Sequence, residues 1–386
     1  MAKPRLLFIS NLFPDTREPY RGLDNATILH GLTDRWDVAT LAVRPVLPFA
    51  RRGWQPREID RILSPRFVAC RYVPKIGHAV NHKLMAAALR PALAELRGAF
   101  SVALSSWIYP DCCAVSLLAR ELGFPFVAIA QGSDVHQYLA IPKRCAIIRS
   151  HLPSAQTIIT RSVDLARRLD EEAGLPTERI VPIYNGIDLE RFQPGDKEEV
   201  RKELSLPQGG RIVLFVGNFV AIKNPLLLID AFLRLREERD FEDITLVMVG
   251  GGPLEGTIAF RADRPQTEGR ILLAGRQMAP TVAKFMQAAD VLCLPSDLEG
   301  LPNVVLEAFA SGLRVVASRV GGIPEVHNAD SLGRLVPPRD LDALTDALRV
   351  VLAAQPDRDR IRRHAEKFTW QRAADAYHGV LSRAAA

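Results

Sequence analysis

The chain has 386 residues, 48% of them apolar and 24% charged, a globular composition that is long for one core and typical of two domains. No run approaches the ~18 apolar residues of a membrane-spanning helix, and the five cysteines form no C-x-x-C pair, which argues against a zinc site or a disulfide framework and suits a reducing cytoplasm. The net charge of +6 is uneven: residues 1–195 carry 25 basic against 18 acidic side chains, and residues 196–386 carry 25 against 26.

In chain order, MAKPRLLFIS has one basic flank but only a short apolar core, less than the roughly 7–15 residues of a secretory signal. It reads as a buried first strand. Further strands are expected at 37–43, 67–73, 102–107, 126–130, 157–160 and 180–186, all short, β-branched and closed by turn residues. Residues 111–122 and 163–173 have helical spacing. The stretch ERFQPGDKEEVRKELSLPQGG breaks the rhythm, and 193–210 is the expected linker. A second series of strands is expected at 212–217, 244–250, 271–275, 291–296, 314–318 and 334–338. Strands alternating with helices imply two doubly wound parallel sheets facing a cleft, in which ligands bind beyond the carboxyl ends of the strands.

Residues 44–97 hold 11 basic and 3 acidic side chains. Arg51, Arg52, Arg57, Arg61, Arg66, Arg71, Lys75 and Lys83 alternate with Trp54, Ile59, Ile62, Phe67 and Tyr72. Cations mixed with amphipathic rings suit an anionic lipid surface; a solvated loop and helix face explains them equally well. No nucleic-acid-binding motif accompanies the charge, so nucleic acid is not an expected partner.

The chemistry concentrates in the second half. Lys223 precedes Asn224-Pro225, a helix start. A cation there opposes the helix dipole, which suggests an anion to be held; the plain alternative is a solvent-pointing loop lysine. VMVGGGPLEG supplies a glycine turn with Gly250, Gly251 and Gly252, a weak signal alone. The next strand ends in Ala274-Gly275-Arg276 without the acid that would hold an NAD ribose. In SDLEGLPNVVLEAFASG, Pro302 suits a helix start, so the backbone N–H groups from Leu301 through Asn303 to Val304 form a phosphate site. Glu299 and Gly300 lie in the loop before it. Glu307 lies about one and a half turns in, either facing a ligand or as a satisfied structural acid. Asp340, Asp342, Asp357 and Asp359 form two D-x-D patterns that read as solvent-facing helix residues.

The succession VGN…K, VGGGP, AGR, EGLPNVVLE and ASRVGGIPE resembles the retaining glycosyltransferases of family 4, which have the GT-B fold, over nearly the whole chain. The spacing of Glu299 and Glu307 within EG-x-P-x-x-x-x-E is the most specific part. WIYPD, AQGSDVH and YNGIDLERFQP resemble segments of members that build exopolysaccharides and cell-wall polymers. The resemblance implies an acceptor-side domain over 1–192, a nucleotide-sugar-binding domain over 211–366, and a last helix within 367–386 that returns to the first domain. It implies a nucleotide-diphosphate sugar as donor, a lipid-linked or saccharide acceptor, no cofactor and no metal; the cysteine usage suits a cytoplasmic enzyme, and the basic stretch 44–97 separately suggests one peripheral to the inner face of the plasma membrane. The diphosphate would lie over Lys223 and the 301–304 amides, Glu307 would hold the ribose, and Glu299 the transferred sugar. Gly217, Asn218, Gly251 and Arg276 would complete the donor site.

Gly22 would belong to a donor-facing loop, with Arg21 beside it. Arg21, Gln131, Asp134 and His136 are the acceptor-side candidates, and Lys223, Glu299 and Asp134 the catalytic ones. Three positions depart from the common pattern: Asn218 replaces Arg, Gln131 replaces His, and Arg314 replaces Pro in a change expected at the surface. A hydrolase using Glu299 and Glu307 as acid and base, a sugar-nucleotide epimerase of the same fold and a non-catalytic nucleotide-sugar-binding protein are the rival readings.

Overall fold

The computed structural model describes residues 3–46, 53–74 and 77–386, so Arg51, Arg52 and Lys75 lie outside the described residues. The chain forms two compact units, Met1–Asn185 with Trp370–Ala386, and Gly186–Thr369.

The first unit is built on seven parallel strands in the order β3-β2-β1-β4-β5-β6-β7. These are β1 (Arg5–Ser10), β2 (Asp37–Val46), β3 (Pro65–Arg71), β4 (Val102–Ser106), β5 (Phe126–Ala130), β6 (Thr157–Thr160) and β7 (Ile180–Pro182). Side chains alternate across a strand, and the two faces fill different cores. Leu7 and Ile9 join one apolar cluster with Val43, Ala103 and Val115. Leu6 and Phe8 join the other with Trp36, Leu104 and Tyr377. Covering both faces makes the strands continuous apolar runs, which is why the sequence locates them closely. The terminal helix Trp370–Ala385 belongs to this unit. It buries Tyr377, Val380 and Leu381 against the second cluster, and Trp36 Nε1–H donates to His378 Nδ1 at 3.0 Å.

The second unit has six parallel strands in the order β10-β9-β8-β11-β12-β13. These are β8 (Ile212–Asn218), β9 (Thr245–Gly251), β10 (Ile271–Gly275), β11 (Val291–Leu294), β12 (Arg314–Ser318) and β13 (Gly333–Val336). The strand order reverses beside β1 in one sheet and beside β8 in the other, the places where open α/β sheets bind ligands.

The stretch 193–210, expected as the linker, is instead folded into the second unit. Asp196 caps helix Lys197–Glu203 by accepting from Glu198 and Glu199. Lys197 and the buried Arg201 both pair with Asp290. Pro194-Gly195 and Gly209-Gly210 punctuate a helix rather than separate two domains; the chain passes between units at Gly186 and again at Trp370. Arg314, expected at the surface, is 8% exposed and donates to Ala354 O at 2.6 Å. All five cysteines are free thiols; burial pushes Cys112, Cys113 and Cys293 well up, as suits core residues. Among the described residues no helix is long and apolar enough to cross a membrane.

Candidate functional site

In the second unit, the loops after β8 and β11 bring Lys223 and Glu299 together. Lys223 ends the short turn Ala221–Lys223, and Asn224, at φ 52°, caps helix Pro225–Arg236. Lys223 Nζ pairs with Glu299 Oε1, and Ser296 Oγ–H donates to the same oxygen at 2.7 Å. The glutamate is buried and the lysine part-exposed. The cation at the helix start therefore already has an anion, and Glu299 is not an isolated loop acid.

A second tie fixes the same two loops. Asn224 Nδ2–H donates to Asp297 Oδ1 at 2.6 Å, and Asp297 N–H donates to Ile222 O at 2.8 Å. Arg339 grips Asp297 Oδ2 with two bonds of 2.9 and 2.8 Å. Ser296, Asn224, Asp297 and Arg339 were not singled out from the sequence. The contacts of Asn224, Asp297 and Arg339 join loops far apart in sequence, which local spacing does not reveal, whereas Ser296 reaches Glu299 within one loop.

Helix Asn303–Ala310 starts one residue later than expected, with Pro302 as its cap. Pro302 has no side-chain acceptor for the first turn, where N–H groups lack intrahelical partners; Val305 N–H reaches Pro302 O at 3.1 Å. Leu301 is buried, while Pro302, Asn303 and Val304 are half-buried. Glu307 is half-buried in the second turn. The loop before the helix is held from below: Gly322 N–H donates to Gly300 O at 2.6 Å. A Cβ on Gly321 would stand 2.0 Å from Glu299 O, so the two glycines of ASRVGGIPE seat the glutamate loop.

The glycines at the end of β9 and just after it serve mainly close packing. A Cβ on Gly250 would lie 1.8 Å from Gly217 O, and one on Gly252 2.8 Å from Phe219 O. Around them Arg276 joins the other donor-side candidates, donating to Asn218 Oδ1 at 3.1 Å and Gly251 O at 3.0 Å. Lys223, Arg276 and a helix N-terminus at one sheet edge make an anion-binding environment. The D-x-D patterns are helix starts: Asp340 accepts from Ala343 N–H and Asp357 from Arg360 N–H. Among the described residues no three or more His, Cys, Asp or Glu side chains gather as a metal-ligand set.

The first unit corrects several expectations. Gly22 has φ 65°, and a Cβ there would stand 2.2 Å from Leu12 C and O. It is required for the loop to close on the end of β1. Arg21 is engaged by the same loop, donating to Asn11 O, Asn11 Oδ1 and Glu18. Asp134 is fully buried and accepts four backbone N–H groups. Gln131, Gly132 and Val135 reach Oδ1 at 2.9, 2.8 and 3.1 Å, and Ile108 reaches Oδ2 at 2.8 Å. Burial pushes its carboxyl above the ordinary range, against those four donors. It anchors the exits of β4 and β5 with both oxygens turned to the backbone, a structural role in place of the expected catalytic one.

Gln131 is also largely committed. Both Nε2 hydrogens are used, toward Asn25 Oδ1 at 2.8 Å and Ser106 Oγ at 2.6 Å, and Oε1 accepts from Arg161 at 3.2 Å. One Oε1 lone pair is left for a ligand. His136 is half-buried in helix Ser133–Leu139. Beside this network, Asp111 is fully buried and accepts from Asn11 N–H, Asn11 Nδ2–H and Ser10 Oγ–H. Burial raises its carboxyl to about 7 despite them. Asn25, Ser106, Asp111 and Arg161 were not anticipated, because a side chain that binds its own backbone looks the same in sequence as one that binds a ligand.

Within the basic stretch 44–97, much of the charge is internally matched. Arg44 is buried in an ion pair with Asp15, Arg57 pairs with the buried Asp60, and Arg66 with Glu95. Arg61 pairs with Glu58 on the short helix Glu58–Leu63, where Ile59 and Ile62 are exposed. Arg71 and Lys83 are exposed, and Trp54 packs on Phe67.

The parallel sheets with their loop sites at the carboxyl ends have known counterparts. The family "Glycosyl transferases group 1" matches residues 196–368, and "Glycosyltransferase Family 4" matches residues 28–191. A Mycobacterium avium D-inositol 3-phosphate glycosyltransferase is 32% identical over 72% of this chain and 66% of its own. The Saccharomonospora viridis protein of the same name is 30% identical over 70% of this chain and 68% of its own. The chain spans about two thirds of the length of these curated relatives. Among solved structures, Anabaena HepE in complex with UDP has a TM-score of 0.77 at 16% identity, covering 98% of this chain and 100% of that one. The chain belongs to the family 4 glycosyltransferases, of GT-B architecture.

Proposed function

We propose that this chain is a retaining, metal-independent glycosyltransferase. It moves a sugar from a nucleoside-diphosphate sugar to a saccharide or lipid-linked acceptor in polysaccharide or glycoconjugate synthesis. The observation that carries the reading is Lys223 paired with Glu299 directly before the helix start at Asn303. Breaking the anomeric C–O bond leaves charge on a diphosphate. Lys223 and the first-turn N–H groups are preorganised to receive that charge without reorganising. In this reading Lys223 is shared between Glu299 and the diphosphate, which orients the lysine before the donor arrives. Glu299 holds hydroxyls of the transferred sugar, Glu307 those of the ribose, and Arg276 with Asn218 borders the phosphates. The departing phosphate takes the acceptor's proton on the face it leaves, which keeps the anomeric configuration. The glycosyltransferase names of the relatives and the UDP and UDP-glucose bound to HepE support a nucleotide-sugar donor.

The test is release of nucleoside diphosphate from a sugar nucleotide in the presence of glycan acceptors, with the product anomer read by NMR. An inverted product overturns retention, and undiminished turnover in Lys223→Ala overturns the site.

We also propose that the chain works at the cytoplasmic face of an anionic membrane. The exposed Ile59 and Ile62 flank Arg61 on one short helix, a mixture of apolar and cationic groups suited to the lipid interface. Flotation with anionic vesicles is expected, reduced in Ile59→Asp/Ile62→Asp; equal flotation with neutral vesicles contradicts it.

A further inference from the structure

Trp107 follows β4 at the carboxyl edge of the first sheet. Its backbone has φ 79° and ψ 103°, a region that bulky L residues rarely occupy. Two neighbours hold it there: Trp107 N–H donates to Ile129 O at 3.0 Å, and Trp107 O accepts from Cys112 N–H at 3.1 Å. The next residue, Ile108, is tied to the buried Asp134. Strain of this kind persists where the surroundings over-determine it, and it gathers at ligand sites.

The indole has no place in either apolar core of the unit. It is half-buried, whereas Trp36 is 2% exposed. Its ring meets Tyr138 edge-on, with centroids 6.0 Å apart at 87°. Tyr138 is backed by the guanidinium of Arg144, 4.1 Å from the ring centroid, which also lies 5.4 Å from that of Tyr109. Arg144 is only 9% exposed. A chain of packed groups thus fixes the orientation of an indole that the fold does not need as filler.

We propose that Trp107 is the stacking platform for a pyranose ring of the acceptor, which makes the acceptor a saccharide; this rests on the glycosyl-transfer reading above. An aromatic face carries partial negative charge, and the axial C–H groups on one side of a pyranose carry partial positive charge. A rigid indole therefore selects a sugar ring by shape and by that match, at the strand ends where α/β sheets receive ligands. An anionic group gains nothing from an indole face. A cationic ligand is disfavoured by Arg144 behind Tyr138.

The test uses saturation-transfer NMR with methyl glucoside, galactoside and mannoside, and with D-inositol 3-phosphate, on wild type, Trp107→Phe and Trp107→Gly. Glycine suits φ 79°, so Trp107→Gly removes the ring while keeping the backbone. Wild type is expected to saturate the ring C–H protons of at least one pyranoside. Trp107→Phe keeps most of that signal, and Trp107→Gly weakens affinity about tenfold, the scale of an interface anchor. No pyranoside signal in wild type, an equal signal in Trp107→Gly, or saturation of the inositol phosphate alone overturns the proposal. Thermal shift with a sugar nucleotide is run on all three proteins. A retained donor shift beside failed pyranoside arms removes the platform alone. No donor shift in wild type removes the glycosyl-transfer reading itself.

Discussion

At the carboxyl edge of the second sheet, charged and amide side chains from different loops meet one another: Lys223 with Glu299, Asn224 and Arg339 with Asp297, Arg276 with Asn218. At the same edge of the first sheet, the acids turn inward. Asp134 accepts only backbone N–H groups, and Asp111 holds the Ser10–Asn11 turn. The first arrangement keeps cations where a ligand's charge can compete for them. The second fixes loop shape, and under the proposals above it leaves recognition to rings and amides such as Trp107 and Gln131. On that reading two sheets of the same class divide the work, one edge stabilising charge and the other setting shape.

Substitutions test that division, since losses at the second edge belong to catalysis and losses at the buried acids of the first to stability. Lys223→Ala is expected to lower the transfer rate roughly 10²–10³-fold, the scale of removing one preorganised charge-stabilising donor. Its far-ultraviolet circular dichroism is expected to be unchanged. Glu307→Ala is expected to abolish transfer with the same preservation of fold, and normal turnover in either protein breaks the comparison.

Asp134→Ala is expected to behave oppositely. It strands four buried N–H donors and is expected to cost about 3 kcal/mol in urea unfolding. A stable Asp134→Ala protein with lost kcat would return this carboxylate to the chemistry.

Asp111 sharpens the contrast through pH. Its ordinary value is 3.8, and the folded state raises it to about 7. Between those values the folded chain holds a proton that the unfolded chain has released. Its contribution to stability is therefore fully present below about pH 4 and falls as pH rises to about 7, by at most ~1.4 kcal/mol per pH unit. Asp111→Asn is expected to flatten that part of the stability profile, as followed by denaturation at several pH values. An unchanged slope contradicts the assignment.

The smallest expected effect is that of Arg276→Ala. It is expected to weaken donor affinity about fivefold, which is close to 1 kcal/mol, by calorimetric titration, with little change in unfolding. No change in donor affinity removes Arg276 from the donor edge.

Legibility in the sequence follows the same line. The strands are legible in number and place, because runs such as FVAIA are buried on both faces, but their ends are not: the strand expected over 180–186 stops at Pro182, and the one expected over 37–43 runs on to Val46. The donor-side motif was readable because its glycines, proline and acids lie within one short segment. Lys223 and Glu299 were identified separately, but their pairing spans 76 positions, and no local pattern encodes it. The linker was misplaced because helix Lys197–Glu203 is charged, and its pairing with Asp290 is distant in sequence. Asp134 was misassigned because a carboxylate in QGSDVH serves a ligand or a backbone nest with identical spelling. Trp107 gave no sign, since a left-handed backbone at a tryptophan is imposed by its surroundings.

The most direct measurement is thermal unfolding of wild type and Lys223→Ala with UDP-, GDP-, dTDP- and ADP-sugars. A ligand that binds only the folded state raises the transition by mass action. At least one sugar nucleotide is expected to raise the wild-type midpoint, with the shift lost or sharply reduced in the variant. No shift with any of the four, or an equal shift in both proteins, would contradict a diphosphate held by Lys223 at the second sheet's edge.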